Sequence, residues 1–378
     1  MGTPNRPGVF RLRGVWAFGA GQVLLPLPLD MQVVFDSARS DEGFVALALH
    51  LKPDVADWGS DGSPYRFDAR KRQKSESPQG FVVREADWRH FALAGEEARP
   101  VTSLRRWIDE TMRIGIARNP LRGTAEEHML YRLPMATFSE RAFEEALKAF
   151  EAASFEASDP HSRGATVRYG LAAAVSSTAL PPDRSLPPWL RLGGENRPWR
   201  AELSRDAWSP LSDQVEEEVI RCIEETGVAR LILLTPAIWE RGDRPKHYDP
   251  VTRRLALGRY VRPANASLEA GQEEERVEKE PEKETTKNEA EPSAPEVEVL
   301  AVATGRPLLV GGWDIVRNRP KPRLPAVPAG TVLVVRVPEG QARMLAKAVC
   351  AAALTDDLSW EGYGFVTVGA YCDDRLRL

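Results

Sequence analysis

The segment from Leu268 to Glu298 most constrains how this chain can fold. It contains twelve Glu against four Lys or Arg, with no aromatic residue. Such a segment cannot bury enough apolar surface to offset its ordering entropy, so we predict a disordered acidic insertion over 268–298. It carries a charge of −8 in a chain whose total is −4, which leaves +4 for the remainder. The part of the chain that folds is therefore basic.

The length of 378 residues suggests two domains with room for a core in each. Proline density between Pro181 and Pro188 forbids a regular helix and marks the boundary between them. We therefore predict an N-terminal domain over 1–180 and a C-terminal domain over 181–267 plus 299–378. The acidic insertion interrupts the second domain.

Three cysteines with no Cys-x-x-Cys spacing exclude a disulfide framework and a zinc ribbon, and favour a reducing cytoplasm. No apolar run is long enough to span a membrane, and the N-terminus does not resemble a secretion signal. The composition therefore predicts a cytoplasmic protein without a membrane contact and without a cofactor.

The second half shows alternating helix-like and strand-like patterns. Valine-rich and aliphatic runs predict strands, and apolar spacing at helical period predicts helices; the expected order is a short strand at 200–205, a helix at 212–226, strands at 228–234 and 330–337, a helix at 340–354 and a strand at 363–371. This is the βαββαβ order of a ferredoxin-like (RRM-like) fold. In the first half we expect strands at 23–35, 43–50 and 165–175, and helices at 103–114 and 139–152. The fold class is α+β.

The five histidines stand singly, and none has the spacing of a metal-ligand pair. His128 follows two glutamates, but the same residues fit a capping box that begins at Thr124. No nucleophile elbow, phosphate-binding loop or phosphohydrolase metal motif occurs in the sequence. We therefore expect no catalytic centre.

Two stretches predict contact with phosphate. Residues 66–74 hold five cations and one anion, which fits either a solvated loop or an RNA contact. Residues 306–323 combine Gly311 and Gly312 with a larger set of cations, of which the candidate RNA-binding members are Arg317, Arg319, Lys321 and Arg323. A glycine pair lets backbone N–H groups approach a phosphate, and the cations supply counterion release.

Two further features have a functional and a packing interpretation. Gly362-Tyr363-Gly364-Phe365-Val366 is similar to the RNP1 core of RNA-recognition motifs, although Glu361 replaces a basic residue; packing of a glycine-rich strand against a helix is the preferred interpretation. The ten tryptophans either anchor long loops or form protein–protein surfaces, where Trp is enriched.

Six blocks, in order and spread over nearly the whole chain, resemble one subunit of the RAMP superfamily. They are 26–30 (PLPLD), 115–131 (GIARN to TAEEHMLY), 192–197 (LGGENR), 233–237 (LLTPA), 311–330 (GGWD to PAVPAG) and 362–365 (GYGF). That subunit caps the crRNA-tag end of the Cmr (type III-B CRISPR) effector complex. Within the blocks, the resemblance adds Arg118, Asn119, Arg122 and Arg197 as candidate RNA-binding residues.

The resemblance implies two packed ferredoxin-like domains with long insertions and no catalytic centre. Only 25 residues precede Pro26, where the family usually has an opening strand, a helix and an arginine-bearing segment, so the first domain would be incomplete at its N-terminus. The implied function is to bind the 5′ tag of crRNA. The implied protein partners are the large polymerase/cyclase-like subunit and the backbone RAMP subunit, with target RNA contacted indirectly.

Two alternatives stay open at this point. The first is a crRNA-processing endoribonuclease of the RAMP group that uses a histidine base, with His50 and His128 as candidates. The second is a scaffold that contacts only proteins.

Overall fold

Strands dominate the parts of the chain that the computed structural model describes. Those parts are residues 10–19, 22–36, 43–54, 63–95, 97–106, 108–118, 122, 124–138, 169–177, 189–192, 197–201, 208–261, 295–314, 317 and 319–372. The predicted helix at 139–152 lies outside them, as do 202–205 of the predicted short strand and 268–294 of the predicted acidic insertion.

The strands of the first half, in chain order, are β1 (Phe10–Gly19), β2 (Gln22–Pro26), β3 (Met31–Phe35), β4 (Phe44–Ala48), β5 (His50–Pro53), β6 (Tyr65–Asp68), β7 (Ser75–Glu76), β8 (Phe81–Arg84), β9 (Leu93–Ala94), β10 (Arg99–Ser103), β11 (Ile108–Arg118), β12 (Ala125–Phe138) and β13 (Tyr169–Ser177). Those of the second half are β14 (Trp189–Leu192), β15 (Arg197–Arg200), β16 (Val228–Leu233), β17 (Arg254–Ala256), β18 (Glu296–Ala303), β19 (Leu308–Val310), β20 (Trp313–Asp314), β21 (Arg319–Pro320), β22 (Leu324–Ala326), β23 (Val332–Arg336) and β24 (Val366–Tyr371). Within the described residues, the α-helices are α1 (Trp88–Ala92), α2 (Asp213–Thr226) and α3 (Ala342–Ala351).

Two large sheets organise these strands. The first has eight antiparallel strands in the order β13-β1-β2-β8-β10-β4-β3-β7. The second has six strands in the order β17-β18-β23-β16-β24-β9, in which only the β24–β9 pair is parallel. Since β9 comes from the first half of the chain, the second sheet contains strands from both halves. The α+β class is confirmed.

Helix α2 shows how directly the sequence specifies a local structure. Ser212 caps its N-terminus by accepting a hydrogen bond from the Val215 N–H, and Gly227 ends it in the left-handed conformation at φ +71°. The apolar face buries Val219 and Ile223. Helices α2 and α3 pack against each other and against β24, and both predicted helices are confirmed within a few residues.

The helix predicted at 103–114 is wrong. Residues Leu104–Arg106 form a single 3-10 turn, and β11 follows at once. Its Ile108, Met112, Ile114 and Ile116 alternate along the chain, which is the period of a strand, and β11 pairs with β12 over almost its full length. Pairing with the next strand therefore outweighs the local helical spacing.

Two other expected boundaries shift. The strand expected at 363–371 starts at Val366, because Gly362 and Gly364 have φ of +92° and +76° and form a turn. The acidic insertion was expected to extend to Glu298, but β18 already begins at Glu296 and pairs with β23 and β17.

One continuous apolar core joins the two large sheets. It includes Trp16 and Val33 of the first sheet together with Leu231 and Val334 of the second. This core fixes the position of the loops and hairpins that leave the sheets.

Candidate nucleic-acid interface

Residues 308–326 form a narrow two-stranded hairpin that leaves the second sheet. Leu308 pairs with Ala326 at its base, and Trp313 pairs with Pro320 near its tip. Between these pairs, the Lys321 N–H donates a hydrogen bond to the Gly312 carbonyl at 2.9 Å. This stretch is therefore a two-stranded arm.

The arm exposes the four predicted cations, which are Arg317, Arg319, Lys321 and Arg323. Arg317 lies 3.8 Å from Asp314, which also accepts its backbone N–H, and Lys321 lies 3.8 Å from Glu361. Both contacts are exposed and long, so neither removes a cation from reach of a ligand. Among the described residues, Arg319 and Arg323 form no ion pair.

Gly311 and Gly312 lie on the arm beside these cations, and both are exposed. A Cβ added to Gly311 would lie 3.5 Å from the Arg323 side chain, and one added to Gly312 would lie 3.8 Å from that of Lys321. These are ordinary contacts with flexible side chains, so packing does not explain the two glycines. Their bare backbone, flanked by two cations, is open to the close approach of a phosphate.

Gln79 joins the base of the arm to the first sheet. Its side-chain Oε1 accepts the Arg306 N–H at 2.8 Å and its Nε2 donates to the Arg306 carbonyl at 3.1 Å. A Cβ on Gly305 would lie only 2.5 Å from Gln79 Oε1, so a side chain there would displace the Gln79 amide. The side-chain amide therefore makes a two-bond contact that fixes where the arm begins.

A second group of cations lies between β6 and β7, and β7 is the edge strand of the first sheet. Gln32 holds this loop by the same kind of contact, since its amide accepts the Lys71 N–H and donates to the Lys71 carbonyl. Arg70 donates to the Ala48 carbonyl, which leaves Lys71, Arg72 and Lys74 as the exposed cations of the loop. We call these three residues the 71–74 cluster.

The anion of this stretch is already neutralised locally. A hydrogen bond from Lys52 lowers the pKa of Asp68, and Arg66 lies 3.7 Å from the same carboxylate. Asp68 therefore does not offset the charge of the 71–74 cluster, whose members form no ion pair among the described residues.

The other predicted RNA-binding residues lie on two separate hairpins. Arg118 ends β11 and is paired with Ala125, and the exposed Arg122 lies in the turn between β11 and β12. Arg197 begins β15, opposite Leu192. Asn119 lies outside the described residues. The structure brings together Gly311, Gly312, Arg317, Arg319, Lys321 and Arg323 on one arm, and it places Arg118 and Arg122 at the tip of another.

Sequence reasoning missed the polar group that joins the two sheets. Asp30, the last residue of the PLPLD block, accepts two hydrogen bonds from the Arg230 guanidinium at 2.6 and 2.7 Å and one from the Tyr371 hydroxyl at 2.6 Å. All three side chains are buried. An arginine inside the aliphatic run of β16 was the one available signal, because a buried arginine requires a partner.

Several of the recognised blocks meet around this group. Gly330 of the PAVPAG block has φ +88°, and a Cβ there would lie 2.4 Å from the Leu27 carbonyl of the PLPLD block. Thr235 of the LLTPA block accepts the backbone N–H of Phe365 at 2.9 Å. These blocks therefore build the contact between the sheets.

The GYGF block serves packing. Phe365 is buried against Trp16 and Trp208, with ring centroids 5.6 and 6.1 Å away. A Cβ on Gly364 would lie 2.7 Å from Thr355. Phe365 therefore cannot stack on a base, which agrees with the packing interpretation of this block.

The candidate histidines of an endoribonuclease lie in different hairpins. His50 begins β5 and pairs with Asp68 of β6, whereas His128 lies on β12. No cluster of three or more His, Cys, Asp or Glu in the described residues could hold a metal ion. None of the described helices is long and apolar enough to cross a membrane.

Comparison with known proteins identifies one family. The model of the family "CRISPR-associated protein (Cas_Cmr3)" matches residues 1–369. No curated protein matches the chain.

Solved structures of one assembly are similar to the chain. A chain in the cryo-EM structure of the Type III-B Cmr-beta bound to cognate target RNA and AMPPnP is 13% identical, with a TM-score of 0.32 over 86% of this chain and 67% of that one. A chain in the structure with cognate target RNA is 12% identical, with a TM-score of 0.31 over 86% of this chain and 64% of that one. The chain thus spans about two thirds of the length of these two chains.

Proposed function

Since the chain belongs to the CRISPR-associated Cmr3 family, we propose that it is a non-catalytic subunit of a cytoplasmic type III-B CRISPR interference complex. In this proposal it binds the 5′ tag of crRNA and connects the large polymerase/cyclase-like subunit to the backbone RAMP subunit. Target RNA is then contacted only through the assembled complex.

The arm at 308–326 carries the proposal. It presents four exposed cations beside two exposed glycines, and Gln79 fixes its base. A positively charged surface with accessible backbone N–H groups suits the phosphates of single-stranded RNA, which are reached by both charge and hydrogen bonding.

The 71–74 cluster extends this surface. Lys74 precedes Gln79 by five residues, so their Cα atoms are separated by at most about 18 Å. Because Gln79 is bonded to Arg306, the cluster and the base of the arm lie within the reach of one short RNA segment. Phosphates on a single strand repeat every few ångströms, so several nucleotides can contact both groups of cations.

We infer that the second sheet is a rearranged ferredoxin-like unit. Its four adjacent strands β24-β16-β23-β18 are antiparallel, and α2 and α3 pack over β24. The sequence-based order assigned β16 as the second strand of the fold, but β16 pairs with both β23 and β24 and is therefore central. In this inference β16 is the first strand, β18 the second, and α2 precedes the sheet.

Exposed apolar side chains support the connecting role. Trp189 on β14 is 63% exposed, and Met112 and Ile114 on β11 are 61% and 62% exposed. Exposed Trp and aliphatic side chains on hairpins that leave the sheets are typical of protein–protein contact sites.

The test of RNA binding replaces Arg317, Arg319, Lys321 and Arg323 with alanine. If all four contact phosphates, the slope of log affinity against log salt concentration for tag-bearing crRNA becomes shallower by about 3. The measurement is fluorescence anisotropy at several salt concentrations, with the assembled complex reconstituted in parallel.

A charge-matched control replaces Arg254, Arg336, Arg343 and Lys347, which are exposed and lie on other elements. We expect this control to keep the wild-type slope. Equal slopes for the arm variant and the wild-type chain would overturn the role of the arm.

The test of the non-catalytic assignment uses repeat RNA and the purified chain. We expect no cleavage, with or without divalent metal. Cleavage that His128→Ala abolishes would establish the endoribonuclease instead, and absence of any RNA crosslink to the arm or the 71–74 cluster in the complex would favour the protein-only scaffold.

A further inference from the structure

Two of the three cysteines line one cleft, which is bounded by α1, α2 and the end of β24. The cleft has a volume of about 480 Å³ and includes Cys222, Cys372, Arg89 and Arg221 in its lining. Cys222 lies in the second half of α2, and Cys372 is the first residue after β24. The close packing of α2 on β24 therefore brings together two thiols that are 150 positions apart in the sequence.

We propose that Cys222 and Cys372 form a redox pair that a peroxide converts to an intramolecular disulfide. Both thiols line the same cleft where α2 packs on β24, and each changes the pKa of the other, so the two side chains are neighbours. Cys372 is exposed, whereas Cys222 is largely buried at the wall of the same cleft. This arrangement of one shielded and one accessible thiol is typical of a reactive cysteine with a resolving partner.

The charges of the cleft and the hydrogen bond between the thiols assign a role to each. The hydrogen bond from Cys372 lowers the pKa of Cys222, and Arg221 acts in the same direction. Burial together with Glu225 and Glu218 opposes this effect. The pKa of Cys372 is raised because its proton is held in that hydrogen bond. Cys222 is therefore the thiolate that attacks, and Cys372 is the thiol that resolves.

The reaction has two balanced steps. The Cys222 thiolate attacks one peroxide oxygen: an S–O bond forms, the O–O bond breaks, and hydroxide leaves while Cys222 becomes a sulfenic acid. The Cys372 sulfur then attacks the Cys222 sulfur: the S–S bond forms, the S–O bond breaks, and the Cys372 proton leaves with the hydroxyl group as water. Two thiols are oxidised by two electrons and the peroxide is reduced to water.

The disulfide would link the C-terminal end of β24 to α2. At that end the Cys372 N–H approaches the Ala94 carbonyl of β9, and Arg89 of α1 forms an ion pair with Glu218 of α2 at 2.8 Å. The link therefore closes at a place where elements of both chain halves meet. A disulfide that forms and is reduced again fits a reducing compartment, where such bonds are transient.

The experiment uses the full chain, reduced and then exposed to hydrogen peroxide. Remaining thiols are alkylated under denaturing conditions, and the non-reduced digest is analysed by mass spectrometry. We expect Cys222 and Cys372 to disappear from the alkylated pool together, to appear as one linked peptide that lacks two hydrogen atoms, and to return after treatment with dithiothreitol.

Cys350 provides the matched control. Burial raises the pKa of its thiol, so it should remain alkylatable under the same treatment, and Cys350→Ser should form the Cys222–Cys372 link at the wild-type rate. In Cys372→Ser, where the exposed position tolerates the change, Cys222 should stop at the sulfenic acid and be trapped by dimedone.

Oxidation of all three cysteines at equal rates, or a dominant link that involves Cys350, would overturn the proposal. So would a Cys372→Ser chain in which dimedone labels Cys222 no faster than Cys350. Disulfide mapping in the wild-type chain needs no variant, so it tests the proposed Cys222–Cys372 pair even if a substitution at the buried Cys222 prevents folding.

Discussion

At the scale of single residues, Asp30 is a buried carboxylate that depends on hydrogen-bond partners within the protein. Its carboxylate accepts hydrogen bonds from Arg230 and Tyr371, and all three side chains are excluded from water. Arg230 also donates to the Phe91 carbonyl at 2.6 Å. Removing one member of such a group leaves a buried charge without compensation, which costs more than the intact group contributes.

We expect Asp30→Asn to lower the free energy of unfolding by about 3–5 kcal/mol, because the Arg230 guanidinium loses its counter-charge. Urea titration followed by far-UV circular dichroism measures this change. The control is Glu217→Gln, which breaks the exposed Glu217–Arg343 pair and should leave stability almost unchanged. A similar small effect for both variants would show that the buried pair contributes no stability.

At the same scale, the buried Tyr371 hydroxyl predicts how the stability of the fold depends on pH. Burial raises its pKa well above the ordinary value, and the Asp30 carboxylate raises it further. In the unfolded chain this tyrosine loses its proton near pH 10, whereas the folded chain retains it. Above about pH 10 the unfolded state therefore binds fewer protons, and stability falls as pH rises.

Urea denaturation between about pH 8 and pH 11 should show this fall, with a contribution of about 1.4 kcal/mol per pH unit from each such tyrosine. Tyr371→Phe should flatten the slope. Part of the slope should remain in that variant, because burial raises the pKa of the Tyr260 hydroxyl as well. An unchanged slope in Tyr371→Phe would contradict the assignment.

The Asp30 group also shows why local sequence patterns cannot predict everything. The PLPLD turn was recognisable, and so was the aliphatic run that contains Arg230. Nothing local connects them, since Asp30 and Arg230 are separated by 200 positions and Tyr371 by a further 141. Only the packing of the two sheets defines the group.

At the scale of elements, glycine turns decide how closely the second sheet approaches the first. Gly330 precedes β23, its carbonyl accepts the Leu29 N–H, and its own N–H donates to the Leu233 carbonyl. Its left-handed φ and the short distance from a Cβ to the Leu27 carbonyl act against any side chain there. Gly340 has a similar φ of +72° but open space around a Cβ.

We therefore expect Gly330→Ala to destabilise the chain more than Gly340→Ala. Gly340→Ala has only the left-handed backbone cost of about 1–2 kcal/mol, and Gly330→Ala adds an overpacking cost of about 1–3 kcal/mol. Paired thermal and urea denaturation of both variants measures the difference. Equal losses would mean that the backbone relaxes at Gly330 and that the close approach is not enforced.

Elements with strong local signals were predictable, and elements that depend on pairing were not. Ser212, Gly227 and the apolar spacing between them define α2 without reference to any other element. In contrast, β11 contains residues that suit a short helix, and only β12 establishes it as a strand. For the same reason the arm at 308–326 was predicted by its charge and glycines but not by its hairpin structure.

At the scale of the whole molecule, the net charge is the sum of two parts of the chain that have opposite signs. The chain has a net charge of −4, but the acidic stretch at 268–298 accounts for −8. The exposed cations at 71–74 and 317–323 belong to the basic remainder, and Gln79 joins the base of the arm to the first half of the chain. Segment-by-segment charge therefore predicts an RNA interface, whereas the total charge alone argues against one.

The continuous core predicts that the two sheets unfold together in one cooperative step. The division into two domains at Pro181–Pro188 would permit two unfolding steps if each half had its own core. Trp16 of the first sheet instead packs 4.7 Å from Trp208 and donates to the Leu234 carbonyl after β16. Strand β9 also completes the edge of the second sheet. Neither sheet can lose its structure without exposing apolar surface of the other.

We therefore expect one unfolding transition, with tryptophan fluorescence and far-UV circular dichroism coincident in urea. Asp30→Asn should shift the midpoint of that single transition, because its side chain belongs to the contact that both sheets share. Two separated transitions, or an Asp30→Asn effect confined to one of them, would show that the halves are stable independently. If the halves were stable independently, the amide protons of β3 and β23 would also exchange at different free energies of opening, although the two strands share the core.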